Sequence, residues 1–162
     1  MRKVIYIICC VGILFGCAKS KKQEQIQTKN GKLMVYDMDQ LIRNNECEII
    51  RIENDSSVIF KYKNLIDSTK SLEFSYLKAD SMILFGPDKF VKVEDDVLIE
   101  ELNFDRYELI EPYPDGMGPV IFNFEYGVLA FNNGWGMEFH LLTDKNKGKL
   151  KFPLTYKMEQ KQ

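Results

Sequence analysis

Residues 58–63 read Val-Ile-Phe-Lys-Tyr-Lys, and this stretch shows the pattern that decides the fold. Val58, Phe60 and Tyr62 lie on one face of an extended chain, because successive side chains of a strand point to opposite sides. Such alternation is typical of antiparallel strands with one buried face. The same period recurs in residues 72–76, 91–94, 120–126, 135–141 and 149–156.

Turn-forming residues separate these runs, for example at 54–56, 86–88, 132–134 and 146–148. Strands therefore recur about every ten to twelve residues, which is the rhythm of an all-β sandwich or barrel. We predict a mainly β fold, an antiparallel sandwich or barrel of roughly 8–11 strands. One domain over residues 33–162 is long enough to bury such a core.

Two local features interrupt the strand pattern. Asp37 stands three residues before Gln40, as in a capping box, and Met38, Leu41 and Ile42 then share a helical face. This predicts one short N-terminal helix. Further along, residues 97–99 are expected to pair back onto residues 90–93 across a turn at Asp95-Asp96.

The N-terminus has the layout of an export signal. Residues 1–3 are Met-Arg-Lys, and residues 4–15 form an uncharged, mostly apolar run that is too short to span a bilayer. The run ends in Leu14-Phe15-Gly16-Cys17, which resembles the lipobox of bacterial lipoprotein precursors. The resemblance covers residues 1–17 only. It implies cleavage before Cys17, acylation of Cys17 and, because Ala18 follows, an outer-membrane address in the cell envelope.

These features divide the chain into a signal peptide (1–16), a lipidated Cys17 with a flexible basic tether (17–32) and the β-rich body (33–162). Cys9 and Cys10 leave with the signal, so Cys47 is the lone thiol of the body and is predicted to be a small buried apolar group. The body carries 15 Lys and Arg against 23 Asp and Glu. This acidic balance argues against a nucleic-acid binder.

The sequence contains no recognisable catalytic constellation. Its single histidine, His140, shares its strand face with Glu138 and lies opposite Phe139, so it is predicted to face solvent. The motifs of serine hydrolases, zinc peptidases and phosphate-binding loops do not occur. The acidic stretch 88–126 has no calcium-loop spacing and is expected to be a solvated face. We therefore predict a protein that is not an enzyme, with no catalytic residue, cofactor or metal.

One loop stands out as a candidate ligand site. Asn132, Asn133 and Trp135 occur together in Asn-Asn-Gly-Trp-Gly (132–136). An indole between glycines offers an apolar face and a donor for stacking on a sugar. Core packing of Trp135 is nevertheless the interpretation that we favour, and the sugar-stacking loop is the alternative. Nearby, Tyr113-Pro114-Asp115-Gly116 is predicted to be a turn within a loop.

Three functions are open at this stage. The first is a lipid-anchored envelope lipoprotein that acts as a non-catalytic binding or accessory module, with a glycan, a lipid or a protein as ligand. The second is an inhibitor or assembly factor that binds a basic protein through the acidic face. The third is a small carboxylate-dependent hydrolase. An internal apolar cavity would favour a lipid, and a filled core with an exposed Trp135 would favour a glycan.

Overall fold

The computed structural model describes residues 24–99, 101–144, 150, 153 and 154. They form a mainly β structure with ten antiparallel strands and a short 3-10 turn at Ser68–Lys70. The strands are β1 (Gln25–Asp37), β2 (Gln40–Glu53), β3 (Ser57–Asn64), β4 (Leu72–Leu77), β5 (Met82–Phe85), β6 (Asp88–Ile99), β7 (Leu102–Leu109), β8 (Val120–Asn123), β9 (Gly127–Asn132) and β10 (Met137–Thr143).

The ten strands form one closed barrel. Each strand pairs with the next along the chain, and β1 also pairs with β10 in a register from Gly31 opposite Thr143 to Asp37 opposite Met137. The barrel therefore has two distinct ends. We call the end at which β1 begins the proximal end; it carries the connections β2–β3, β4–β5, β6–β7 and β8–β9. The opposite, distal end carries the other five connections.

Aromatic side chains fill the barrel interior. The predicted inward set Val58, Phe60 and Tyr62 is buried. Phe74 stacks on Phe85 with ring centroids 4.4 Å apart, and Phe131 stacks on Phe139 at 4.7 Å. Each fully buried side chain of this size contributes roughly 1.5–3 kcal/mol through removal of apolar surface from water. The interior is thus a packed core, to which all strands contribute, with the buried members Leu33, Val35, Cys47, Ile49, Val58, Phe60, Tyr62, Phe74, Ile83, Phe90, Tyr107, Val120, Phe122, Val128, Phe131 and Leu141.

A second cluster lies on the outside of the barrel, over β7 to β10. We call it the outer cluster. It buries Ile121 and Leu129 completely, and it includes Leu150 and Leu154 from the C-terminal segment. Strands β8 and β9 are therefore covered on both faces, which explains their nearly continuous apolar sequences. Its buried members are Ile99, Leu102, Phe104, Ile121, Leu129, Ala130, Leu142, Leu150 and Leu154.

The predicted N-terminal helix is wrong. Asp37 pairs with Gln40 in a tight hairpin between β1 and β2, and Met38 takes a positive φ of 52° in the turn. A single helical turn gains few hydrogen bonds for the dihedral angles it fixes, whereas the hairpin extends a strand pair that continues to Gln25 opposite Glu53.

Other expectations also change. Residues 25–32 of the predicted tether belong to β1, while residues 17–23 lie outside the described residues. Strand β6 runs through Asp95-Asp96 with register shifts and pairs with β7, so the expected hairpin at that point is wrong. Most of the predicted last strand, 149–156, lies outside the described residues. Cys47 is buried, as predicted, and its burial raises the pKa of its thiol to about 11.

Tyr62 joins two distant strands across the barrel. Its hydroxyl accepts a hydrogen bond of 2.8 Å from the backbone N–H of Val128 on β9. Gly127, with a positive φ of 86°, lies so close to the phenol that a side chain there would overlap it. This contact fixes the start of β9 against the core.

We expect Tyr62→Phe to lower the free energy of unfolding by about 1–3 kcal/mol, because the buried N–H of Val128 loses its acceptor. Urea unfolding followed by circular dichroism measures this change. The matched control is Tyr113→Phe, since Tyr113 is half exposed and its substitution should change the free energy by less than about 0.5 kcal/mol. Equal effects of the two variants would contradict a structural role for the buried hydroxyl.

Candidate functional site

Exposed apolar side chains concentrate at the distal end of the barrel. Trp135 is 73% exposed and Ile66 is 74% exposed. Single exposed apolar residues are ordinary, whereas a cluster of them at one place marks an interaction site. We call this set the distal rim; its members are Met38, Leu41, Ile42, Leu65, Ile66, Ile110, Tyr113 and Trp135.

Three connections of the distal rim touch each other. The N–H of Met38, in the β1–β2 turn, donates to the carbonyl of Gly136 in the β9–β10 loop at 3.4 Å. On the other side of that loop, Gly134 lies against the backbone of Asp115 and Gly116 in the β7–β8 loop, too close for any side chain. These three connections, which carry Met38, Tyr113 and Trp135, therefore form one continuous part of the rim.

Two asparagines determine the shape of the loop that carries Trp135. Oδ1 of Asn133 accepts hydrogen bonds from the N–H groups of Trp135 (3.0 Å) and Met137 (3.1 Å). Oδ1 of Asn132 accepts from the N–H of Gly134 at 2.8 Å. The predicted loop residues Asn132, Asn133 and Trp135 thus lie together. The amide oxygens hold the loop and the indole is exposed to solvent, so the favoured prediction of core packing for Trp135 is wrong.

A pocket opens beside this loop, between the β5–β6 turn and the β7–β8 loop. Its volume is about 240 Å³, and it is lined by residues 87–89, residues 109–111 and Tyr113. The phenol of Tyr113 donates to the carboxylate of Asp88, with oxygen–oxygen distances of 3.1 and 3.2 Å. Burial and the neighbouring Asp88 carboxylate raise the pKa of Tyr113, so the phenol keeps its proton at neutral pH.

Sequence reasoning missed this pocket. Asp88 and Tyr113 are 25 positions apart in the chain, and only the pairing of Phe90 with Leu109 brings their segments together. The predicted turn at Tyr113-Pro114-Asp115-Gly116 is confirmed by the hydrogen bond from the N–H of Gly116 to the carbonyl of Tyr113. That turn was the available signal, because it places Tyr113 at a rim.

The proximal end has a different chemistry. Glu53 pairs with Lys78 at 2.7 Å and with Arg51 at 2.6 Å. The hydrogen bond from Lys78, together with Arg51, holds the pKa of Glu53 below its usual value. Lys92 bridges Asp95 and Asp105 at 2.8 and 2.9 Å. The two Lys92 pairs neutralise part of the acidic stretch 88–126.

The acidic stretch also divides between the two ends of the barrel. Glu94, Asp95 and Asp96 lie towards the proximal end, whereas Asp88 and Asp115 lie at the distal end. The carboxylates therefore do not gather into one flat acidic face in the part of the chain that the structure describes.

His140 is fully buried, and its predicted exposure to solvent is wrong. It does face away from the barrel interior, but the outer cluster covers that side. Its Nε2 lies 2.8 Å from Oε1 of Glu138, which is itself 2% exposed. The same oxygen accepts a hydrogen bond of 2.5 Å from the N–H of Leu154. This pair holds the C-terminal segment on the outer face of the barrel.

We expect Glu138→Leu to lower the free energy of unfolding by about 3 kcal/mol, because His140 and the N–H of Leu154 lose a buried partner. Glu138→Gln should cost less, since an amide oxygen can still accept. Glu48→Gln is the control, because Glu48 pairs with Lys63 at a more exposed position and such pairs contribute little. Thermal and urea unfolding measure these differences. If Glu138→Leu leaves the free energy of unfolding unchanged, Glu138 does not stabilise the packing of the C-terminal segment on the barrel.

Further observations bear on the choice of function. Over the described ranges, no helix is long and apolar enough to cross a membrane. Within the same ranges, no group of three or more His, Cys, Asp or Glu is placed to hold a metal ion. Comparisons of the chain with protein-family models, with curated proteins and with solved structures gave no match.

Proposed function

We propose that this protein is a lipid-anchored lipoprotein of the bacterial cell envelope, and that its barrel is a non-catalytic binding module that contacts its ligand with the distal rim. The lipobox-like segment ending at Cys17 supports the anchor. The exposure of Trp135 within a group of exposed apolar side chains at the distal end is the observation that carries the binding role, because contact of clustered apolar surface with water is unfavourable.

The position of the chain start supports this division of roles. Residues 17–25 span at most about 28 Å even when fully extended. Strand β1 has 13 residues, which correspond to about 43 Å along the strand and about 33 Å along the axis at a usual barrel tilt. A lipid on Cys17 would therefore keep the proximal end near the bilayer, with the distal rim directed away from it.

The anchor has a direct test. Cys17→Ser removes the sulfur that would carry the diacylglycerol, so the variant should leave the membrane fraction, whereas the wild-type protein stays there because two or more acyl chains anchor stably. Cell fractionation with immunoblotting measures the distribution. Cys47→Ser is the matched control and should fractionate like the wild type. A membrane-bound Cys17→Ser variant would contradict the proposal.

The binding rim has a separate test. We expect Trp135→Ala to weaken retention of the detergent-extracted lipoprotein on immobilised envelope fragments by about tenfold, which is about 1.4 kcal/mol and ordinary for an aromatic hot spot. Leu98→Ala removes a side chain of similar exposure, 70%, at the proximal end, and should change nothing. Equal retention of both variants would contradict a role for the distal rim.

A basic protein partner is the second candidate ligand. Asp37, Asp39, Asp88, Glu111 and Asp115 surround the distal rim, and an acidic border could attract such a partner. Interactions of this kind weaken as salt screens the charges. Retention on envelope fragments that falls steeply with salt and after protease treatment of the fragments would favour a protein.

A further inference from the structure

We infer that the ligand of the distal rim is a neutral oligosaccharide, and that the pocket between Asp88 and Tyr113 takes one of its sugar rings while Trp135 stacks on another. This inference rests on the proposed binding function of the rim and names the ligand class for it.

The pocket has the size and lining of a site for a single ring. Its volume of about 240 Å³ lies just below the range of about 300–1,000 Å³ that is usual for drug-sized ligands. Pro87, Leu109 and Ile110 give it apolar walls, and the Asp88 carboxylate, Glu111 and Lys89 stand at its border. Sugar rings have the matching character, with apolar C–H faces and hydroxyl groups at the edges.

The hydrogen-bonding groups of the pocket are arranged for hydroxyls. Each carboxylate oxygen of Asp88 has further acceptor capacity beyond the bond from Tyr113. A sugar hydroxyl can therefore donate to either carboxylate oxygen of Asp88. Charged partners make such bonds stronger than neutral ones, which is how a small polar ligand can compete with water.

The charge of the pocket disfavours anionic ligands. Its lining residues include two acids, Asp88 and Glu111, and one base, Lys89, which give a net charge of −1. An anionic sugar or a phosphate would be repelled by this border, because like charges raise the cost of binding. A neutral hexose or N-acetylhexosamine chain fits this balance better than a uronic acid.

The loop that carries Trp135 packs on the same β7–β8 loop that borders the pocket. The pocket is lined by Leu109, Ile110, Glu111 and Tyr113, and Gly134 lies against Asp115 and Gly116. The pocket and the Trp135 loop are therefore neighbours along the β7–β8 loop. A ligand that used both would need more than one ring, which points to an oligosaccharide rather than a free monosaccharide.

A lipid ligand fits these observations less well. Acyl chains need an enclosed apolar space, whereas aromatic side chains such as Phe60, Phe74 and Phe122 fill the barrel interior. A protein partner would use the apolar rim without needing the polar pocket. The experiment below separates these possibilities.

Trp135 is the only tryptophan of the chain, so indole emission, excited at a wavelength that the tyrosines do not absorb, reports on the proposed site alone. The lipoprotein, extracted in a detergent without a sugar headgroup, is titrated with cellotetraose, maltotetraose, mannotetraose and chitotetraose, and with tetragalacturonic acid as the anionic probe. We expect a saturable change in emission with at least one neutral tetrasaccharide, at a Kd of about 1 mM or tighter. Tetragalacturonic acid should bind at least about tenfold more weakly.

Variants assign the binding to the two subsites. Asp88→Asn keeps the shape of the pocket but removes the charged acceptor, and should weaken binding by about tenfold. Trp135→Ala, measured by calorimetry, should weaken it by at least as much. Leu98→Ala at the proximal end should bind like the wild type. Circular dichroism melts confirm that each variant is folded.

Each result has a defined meaning. If none of the neutral tetrasaccharides binds, or if Asp88→Asn and Trp135→Ala bind them like the wild type, the sugar inference is overturned. In that case, a Trp135→Ala variant that still loses retention on envelope fragments leaves the rim as the binding surface, with a protein as its ligand. If retention is also unchanged, both the sugar inference and the proposed function fail.

Discussion

The pairing of β1 with β10 is the constraint on which the rest of the structure depends. It joins the two ends of the sheet, from Gly31 opposite Thr143 to Asp37 opposite Met137, and it turns an open meander into a closed barrel without exposed edges. At this seam a side chain on Gly31 would overlap Ile49 and the carbonyl of Leu142. Glycine is therefore needed there for close approach of the strands.

Closure also separates the chemistry of the barrel ends. Because neighbouring strands are antiparallel, four connections lie at the proximal end and five at the distal end. Residues that are far apart in the chain therefore meet at each end. At the proximal end the result is a set of ion pairs around Glu53 and Lys92. At the distal end it is an apolar rim with a small polar pocket. Only the contact of Met38 with Gly136 crosses the seam, whereas the Asp88–Tyr113 contact needs the pairing of β6 with β7.

The sequence predicts the interior better than the surface. The alternation in residues 58–63 and 72–76 correctly assigns Phe60, Tyr62 and Phe74 to the buried face, because a strand has only two faces. The same logic places Phe139 and His140 on opposite faces. It cannot show that the outer cluster covers His140, since Leu150 and Leu154 reach that side only through tertiary packing.

Sequence patterns gave wrong predictions where the same residues are typical of two different local structures. Asp37 and Gln40 are compatible both with the start of a helix and with a hairpin turn. The hairpin forms because it continues the long pairing of β1 with β2. Trp135 continues the alternation of β10, yet Asn133 ends the pattern by accepting hydrogen bonds from the backbone of the loop. The pocket forms because the register of β6 and β7 brings Asp88 close to Tyr113. Neither segment predicts a pocket from its own sequence.

The even number of strands has a consequence for how this protein can diversify. The first strand starts and the last strand ends at the same end of the barrel, so the five distal connections are all closed hairpin links within the chain. Such links tolerate changes in length and sequence at small cost in loop entropy. Relatives with the same barrel could therefore exchange these segments freely, and the distal end would diverge without altering the proximal end or the closing seam.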